Sequence, residues 1–384
     1  MNSNADKAIE NFISGCFEKF DEYYKDAVNG KNIFIYGSGV YGKFLYKALA
    51  HSGYGQQIKA FINDYITEDE LLFDIPVKPL DRLAIDSKND IIVIGIQNCP
   101  GITEALKKRG LAYIQADYDQ SFYQDNLMYN YYKCIRVSFI SDMVGKIKEY
   151  HSGCLGNDED ILSLYDEELS KDIISKRLAF YKTGDVSFID SIPISPCAYF
   201  DDGQLNITDK EVYVDCGAFD GDSIKLFYDF TKGRYKKIIG LEPDTISFER
   251  LCKAVKGCHD VQLICCATGK ENTKMSFSSK GVLGSTFSDE EGSELTDVRR
   301  LDDILSGENV TLIKMDIEGA ELDTLMGAEQ IIKNLRPGLA VCIYHRIDDI
   351  ITIPKLLHSL VPEYRFKVRQ HSCSMLETVL YAEV

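Results

Sequence analysis

Short apolar runs alternate with amphipathic segments along most of the chain. The first run, KNIFIYG, ends in a glycine turn and is followed by a helical pattern, and the runs IKAFIND and NDIIVIGIQ come next. Strands that alternate with helices predict a parallel sheet, so residues 31–117 are interpreted as a small Rossmann-like α/β domain. Residues 1–30 have the pattern of an amphipathic helix that ends near Asn29 and Gly30.

The segment 118–200 is predicted to be a helical linker. It begins with a dense group of aromatic side chains, namely Phe122, Tyr123, Tyr129, Tyr131 and Tyr132. We interpret this group as a helix–helix core rather than as a platform for ligand stacking. An acidic stretch in the same segment is typical of a solvated helix face.

A second α/β unit is predicted over residues 201–384. Five strand-like runs, EVYVDCG, KKIIGLE, VQLICCA, VTLIKMD and LAVCIYH, are separated by helical patterns. After the fourth run, apolar residues from Leu322 to Leu335 recur at steps of three and four, which predicts one helix ended by Pro337 and Gly338. The runs FKVRQHS and ETVLYAEV are too close in sequence for a parallel crossover. The fold class is therefore α/β, with five parallel strands closed by an antiparallel C-terminal hairpin.

Composition narrows the classes of function. Of the 384 residues, 45% are hydrophobic and 27% are charged, as in an ordinary globular protein. The formal net charge of −17 disfavours general nucleic-acid binding, and no apolar run is long enough to predict a membrane span. The N-terminus carries no visible secretory signal, so a cytoplasmic location is expected. The twelve cysteines form no CxxC pair, which predicts reduced thiols rather than disulfides or a zinc site.

The first glycine turn carries the pattern of a nucleotide-binding loop. Gly37, Gly39 and Gly42 form a GxGxxG directly after a strand, where backbone N–H groups can approach a diphosphate. Asp64 follows at the end of the next strand, the position at which an acid accepts ribose or sugar hydroxyls. The alternative is a Rossmann-like domain retained for packing or for homo-oligomerisation.

The second glycine turn, VDCGAFDGDS, indicates a different ligand. It contains only two glycines, and its acids would repel a pyrophosphate but suit a cofactor with a cationic amino-acid part, such as S-adenosylmethionine. Glu242 closes the next strand and could accept both ribose hydroxyls, since a carboxylate is only an acceptor. The alternative is a glycine turn with solvated surface acids.

A third group of polar residues follows the fourth and fifth strands of this unit. Asp316 and His345 end these strands, where ligands gather in open α/β sheets, and both are candidate catalytic residues. Glu321 is expected to cap the following helix. Glu318 is expected to point away from the crevice, so no metal site is predicted.

These motifs resemble the FkbM family of S-adenosylmethionine-dependent methyltransferases. The resemblance covers VDCGAFDGDS, IIGLEPD, LIKMDIEGAELDTLMGAE, IYHRIDDI and ETVLYA, in this order. It implies a class I methyltransferase sheet and methyl transfer, usually to a hydroxyl of a sugar or natural product. It further implies that Asp316 lies between cofactor and acceptor, and that the cofactor is held by Asp215, Gly217, Ala218, Asp220, Gly221, Glu242, Pro243 and Asp244.

The N-terminal motifs GSGVYGK and FINDY resemble the small nucleotide-sugar-binding domain that precedes some sugar acetyltransferases. This resemblance implies a nucleotide-linked or glycan-borne sugar as the acceptor. The interpretation is therefore O-methylation of a sugar hydroxyl, with Asp316 or His345 as general base. Three alternatives stay open: N-methylation of another small molecule, a nucleotide-sugar sensor with a non-catalytic fold, and a dehydrogenase that uses the first glycine turn.

Overall fold

A computed structural model describes residues 4–66, 68, 70–96, 100–115, 137–196, 198–200, 203–277, 294–372 and 376–384. The chain divides into two compact units, the first formed by residues 1–151 with 179–187 and the second by 152–178 with 188–384. The aromatic group predicted at the start of the helical linker lies outside the described residues. No helix in the described part of the chain is both long and apolar enough to cross a bilayer.

The first unit is built on a six-stranded sheet in the order β3-β4-β2-β1-β5-β6. All adjacent strands are parallel except β3 and β4, which form an antiparallel pair. The sequence pattern did not predict these two strands. The strands are β1 Asn32–Tyr36, β2 Ile58–Ile62, β3 Glu70–Leu72, β4 Ile75–Lys78, β5 Asp90–Ile94 and β6 Tyr113–Gln115. The described helices include α1 Asn4–Val28, α2 Val40–His51, α3 Pro100–Lys108 and α4 Val137–His151. The predicted N-terminal helix and the parallel sheet are thus present.

The second unit contains a seven-stranded sheet in the order β15-β16-β14-β13-β7-β8-β9. Its strands are β7 Val212–Cys216, β8 Lys237–Leu241, β9 Val261–Ile264, β13 Leu312–Met315, β14 Gly338–Cys342, β15 Arg365–Gln370 and β16 Thr378–Glu383. Five strands are parallel to one another, namely β7, β8, β9, β13 and β14. Strand β16 runs antiparallel to both β14 and β15. The predicted α/β fold class, with five parallel strands and an antiparallel hairpin, is confirmed.

The rest of the described chain from residue 152 onward adds helices and a small second sheet. The helices are α5 Asp158–Leu162, α6 Glu168–Thr183 (whose last residues belong to the first unit), α7 Ser187–Asp190, α8 Asp222–Thr231, α9 Thr245–Ala254, α10 Leu301–Ile304, α11 Glu321–Met326, α12 Glu329–Leu335 and α13 Asp349–Leu360. A second, three-stranded sheet comprises β10 Ala267–Thr268, β11 Thr273–Phe277 and β12 Glu294–Arg299.

One helix predicted after the fourth parallel strand is in fact two, α11 and α12. The break falls at Gly327, where a Cβ atom would lie 2.1 Å from the carbonyl oxygen of Gly269. Close approach of another backbone therefore interrupts a pattern that looks continuous in sequence, and the prediction of a single helix was wrong.

An aromatic core packs against one face of the seven-stranded sheet and positions part of the site. The Phe200 ring lies 5.5 Å from that of Tyr213 and 5.4 Å from that of Phe227, between centroids. All three rings are buried. This packing anchors the segment that carries Tyr199.

Candidate functional site

The carboxyl ends of the central strands bring the predicted residues together. In the sheet, Met315 of β13 pairs with Cys216 of β7 on one side and with Val341 of β14 on the other. The chain after each strand therefore leaves the sheet at the same edge, where open α/β sheets bind their ligands. The second glycine turn, Asp316 and His345 all lie at this edge.

The second glycine turn adopts left-handed backbone conformations. Gly217 has a φ of 79°, Phe219 of 45° and Gly221 of 94°. A Cβ atom on Gly217 would lie 1.9 Å from the carbonyl oxygen of Asp316, so only glycine allows this turn to touch the chain after β13. Ala218 is buried below the turn, and Asp220 is partly exposed within it.

Asp215 lies beneath the turn rather than in the crevice. Its carboxylate is fully buried and forms an ion pair with Lys314, with Oδ1 and Nζ 3.1 Å apart. Ser223 donates a hydrogen bond to Oδ2 at 2.7 Å, and Lys314 also donates to the carbonyl of Gly217 at 2.8 Å. Asp215 thus fixes the turn through Lys314, an arrangement that favours a positioning role over direct contact with a cofactor.

Lys314 is a residue that the sequence reasoning missed. Burial alone would lower its pKa, but the Asp215 and Asp316 carboxylates hold the pKa above its ordinary value. The signal was present, because a lysine inside the apolar run of a central parallel strand must find a buried anionic partner.

Glu242 follows β8, and its carboxylate connects the turn after β8 to the second glycine turn. One carboxylate oxygen accepts a hydrogen bond from the Phe219 N–H at 2.9 Å, and the other accepts from the Asp244 N–H at 2.8 Å. Burial raises the pKa of Glu242 to about 7, although these two N–H groups oppose the shift. Pro243 is partly buried, and Asp244 caps α9 by accepting from the Ser247 N–H at 2.8 Å.

Two tyrosine hydroxyl groups and an imidazole surround the Asp316 carboxylate. Tyr199 donates to Oδ2 at 2.9 Å, Tyr344 donates to Oδ1 at 3.2 Å, and His345 Nε2 lies 3.5 Å from Oδ1. Burial would raise the pKa of Asp316, but Lys314, His345 and the two hydroxyl groups lower it below its ordinary value. The side chain is still 26% exposed, so an ionised carboxylate faces the crevice.

His345 is surrounded by carboxylates. Its Nδ1 donates to Glu321 at 2.8 Å, while Nε2 lies 3.5 Å from a carboxylate oxygen of both Asp316 and Glu318. Burial lowers the pKa of His345, but the hydrogen bond and charge of Glu321 and the other carboxylates raise it to about 9. A protonated imidazole disfavours His345 as the general base.

Two expectations about neighbouring acids need revision. Glu318 faces His345 instead of pointing away, because its φ of 54° breaks the alternation expected from strand geometry. Glu321 does accept from the Ile317 N–H at 2.9 Å, as a capping residue would, but it also orients the His345 ring. The side chain of Glu321 is fully buried.

The glycines of the first turn serve close packing. A Cβ on Gly37, which has a φ of 110°, would lie 2.8 Å from the carbonyl oxygen of Gly95, and one on Gly42 would lie 1.9 Å from that of Gly37. Gly39 has open space around its Cβ position. The turn is therefore as tight as the motif predicts.

Asp64 is engaged by its own chain. Its Oδ2 accepts a hydrogen bond from the Tyr36 hydroxyl, and its Oδ1 accepts from the Leu80 N–H at 2.7 Å. Each oxygen keeps a further lone pair, but the carboxylate already holds the loop before Leu80 in place.

Part of the second unit matches a known protein family. Residues 215–368 match the family model described as "Methyltransferase FkbM domain". This matched segment, called the FkbM domain below, covers less than half of the chain. The crystal structure of methyltransferase FkbM from Methylobacillus flagellatus KT is similar to the whole chain, with a TM-score of 0.56, 21% identity, and coverage of 98% of this chain and 97% of that chain.

Two further solved structures show weaker similarity. An rRNA methylase from Streptococcus thermophilus has a TM-score of 0.30 and 14% identity, covering 46% of this chain and 87% of that chain. Aeropyrum pernix fibrillarin, in complex with natively bound S-adenosyl-L-methionine, has a TM-score of 0.29 and 15% identity, covering 46% and 69%. No curated protein matches the chain at a significant level.

The family match and the methyltransferase fold support an S-adenosylmethionine-dependent methyltransferase, as the sequence resemblance implied. The residues fit that cofactor. The left-handed turn from Gly217 to Gly221 lies at the carboxyl edge of the sheet, where ligands bind, and the Glu242 carboxylate follows the adjacent strand β8. A nucleotide-sugar-binding role for the first unit stays a prediction.

Proposed function

We propose that the FkbM domain methylates a hydroxyl group of a sugar, either nucleotide-linked or part of a glycan. The observation that carries this proposal is the Asp316 carboxylate, which is ionised, partly exposed and held next to the second glycine turn. An acceptor-only group at this position suits a hydroxyl that must be oriented and must lose its proton.

The cofactor, when bound, supplies an electrophilic methyl group. We assign its binding to the turn from Gly217 to Gly221 and to Glu242, whose carboxylate can accept from ribose hydroxyls through its remaining lone pairs. Asp215 and Lys314 hold the turn from below. Ala218, Pro243 and Asp244 shape the same edge, and Asp220 stands within the turn.

Asp316 acts on the acceptor. Tyr199 and Tyr344 each donate to it, which fixes the carboxylate, and the side chain stays 26% exposed and so accessible to an acceptor. Orientation of two reactants can contribute about 7–11 kcal/mol to a barrier, and a general base a further 10²–10⁴-fold, roughly. Because the pKa of Asp316 is lowered, orientation of the hydroxyl is its larger contribution.

The first unit is proposed to bind a nucleotide sugar. Support comes from its tight GxGxxG turn at the N-terminus of α2, where a helix favours anionic groups. Asp64 would have to accept sugar hydroxyls with the lone pairs that Tyr36 and Leu80 leave available.

The test is methyl transfer from labelled S-adenosylmethionine to a panel of nucleotide sugars and free glycans, read by mass spectrometry. We expect an O-methylated sugar with the wild type and with Asp209→Asn, an exposed acid of the same unit, and far less product with Asp316→Asn. Transfer only to nitrogen would overturn the proposed substrate class. Binding of nucleotide sugars without any transfer would instead support a sensor.

A further inference from the structure

Three carboxylates converge on one imidazole at the edge of the sheet. Donor atoms of Asp316, Glu321 and His345 all lie within 4.8 Å of one another, and Glu318 contacts the same ring. The His345 side chain is only 9% exposed. Its Nε2 is buried without a hydrogen bond, although two carboxylate oxygens lie near it.

The spacing around Nε2 suits an ion better than a direct bond. Both oxygens lie 3.5 Å from Nε2, one on Asp316 and one on Glu318. Hydrogen bonds from nitrogen to oxygen are usually about 2.7–3.2 Å long. Two ligands that each lie about 2.1 Å from a tetrahedral ion are separated by about 3.4 Å.

The other nitrogen of the imidazole ring donates a hydrogen bond to a carboxylate, as is usual for histidines that bind metals. Nδ1 donates to the fully buried Glu321 carboxylate at 2.8 Å, which fixes both the tautomer and the ring orientation and directs Nε2 at the two acids. Glu321 is itself held by the Ile317 N–H at 2.9 Å. Its Oε2 atom is buried without a hydrogen-bond partner.

We propose that His345 Nε2, Asp316 and Glu318 bind a divalent transition-metal ion, with Glu321 as the residue that positions the histidine. One imidazole and two carboxylates favour manganese, iron, cobalt or zinc over calcium or magnesium. Binding displaces any proton on Nε2 and replaces it with a larger positive charge among the carboxylates. The role of the ion, to draw in the acceptor hydroxyl and ease loss of its proton, rests on the proposed function.

The experiment titrates chelator-treated, desalted full-length protein with Mn²⁺ and follows the free ion by electron paramagnetic resonance. We expect one Mn²⁺ per chain, roughly 10- to 100-fold weaker binding in Glu321→Gln, and at least as large a loss in His345→Gln and Glu318→Gln. Glu249→Gln, an exposed acid on α9, is the matched control and should bind as the wild type does.

Glu318→Gln keeps the test decisive if a buried substitution prevents folding, because this side chain is 37% exposed. No Mn²⁺ binding at millimolar ion, or equal binding in Glu318→Gln and the wild type, would overturn the site. The titration needs neither cofactor nor acceptor. Mn²⁺ binding without methyl transfer would therefore support the metal site and count against the proposed function. Sugar methylation that survives chelation, with no Mn²⁺ bound, would support the proposed function and overturn the metal site.

Discussion

The contact between the second glycine turn and the chain after β13 makes Gly217 the most informative position for substitution. In Gly217→Ala, a φ of 79° costs about 1–2 kcal/mol for a residue with a side chain. The new Cβ would also lie 1.9 Å from the Asp316 carbonyl oxygen, a backbone atom that cannot rotate away. Such overpacking costs about 1–3 kcal/mol more, so the total is roughly 2–5 kcal/mol.

Two matched variants separate these contributions. Gly307 has a φ of 85° with no atom within 4 Å of its Cβ position, so Gly307→Ala incurs the backbone cost alone. Gly257 has neither a positive φ nor a close neighbour, and Gly257→Ala should be neutral or slightly stabilising. At about 2–4 °C per kcal/mol, Gly217→Ala should melt roughly 4–20 °C below the wild type and Gly307→Ala about 2–8 °C below it.

The assay is thermal melting combined with calorimetric titration of S-adenosylhomocysteine, the demethylated form of the cofactor. Only Gly217→Ala should lose affinity as well as stability, because relief of the clash moves the turn or Asp316. A Gly217→Ala protein that melts like Gly307→Ala and binds the ligand normally would refute the close contact between turn and strand.

Three further predictions follow from buried charges and hydroxyl groups. Because the pKa of Glu242 is about 7, its side chain becomes protonated and loses its charge as the pH falls below 7. Affinity for S-adenosylhomocysteine should therefore drop by up to about tenfold per pH unit below pH 7. Calorimetry on Glu242→Gln should show weaker binding that does not depend on pH, and the same pH slope in this variant and the wild type would contradict the prediction. Lys314→Met should lower the free energy of unfolding by about 3–5 kcal/mol in chemical denaturation, since Asp215 is left buried and without its ion-pair partner. Adding Asp215→Asn should recover most of this stability, and strictly additive effects of the two substitutions would count against the ion pair. Tyr199→Phe removes a hydrogen bond to Asp316, so the acid limb of the pH–rate profile should move to higher pH; an unmoved limb would show that Asp316 does not control that limb.

The sequence predicted those parts of the fold that local patterns determine. Each parallel strand of the second unit is a short apolar run, and the short connection before ETVLYAEV left only an antiparallel hairpin. The placement of Asp316 and His345 at one edge also followed, because adjacent parallel strands end together. Their immediate neighbours in sequence were less predictable, since Glu318 adopts a left-handed conformation that reverses its direction.

What the sequence could not predict are contacts between distant segments. Tyr199 reaches Asp316 across 117 residues, and no local pattern marks a tyrosine for that role. The burial of Asp215 depends on Lys314 from a neighbouring strand. The break between α11 and α12 depends on the backbone of Gly269. In each case a partner far away in the chain determines the role of the residue.

The role of Asp316 is tested most directly by measuring turnover and S-adenosylhomocysteine affinity on the same preparation of Asp316→Asn. We expect turnover with a sugar acceptor to fall by roughly 10²–10⁴-fold while the calorimetric affinity stays close to that of the wild type. Affinity that falls as far as turnover, or turnover that survives the substitution, would contradict this role.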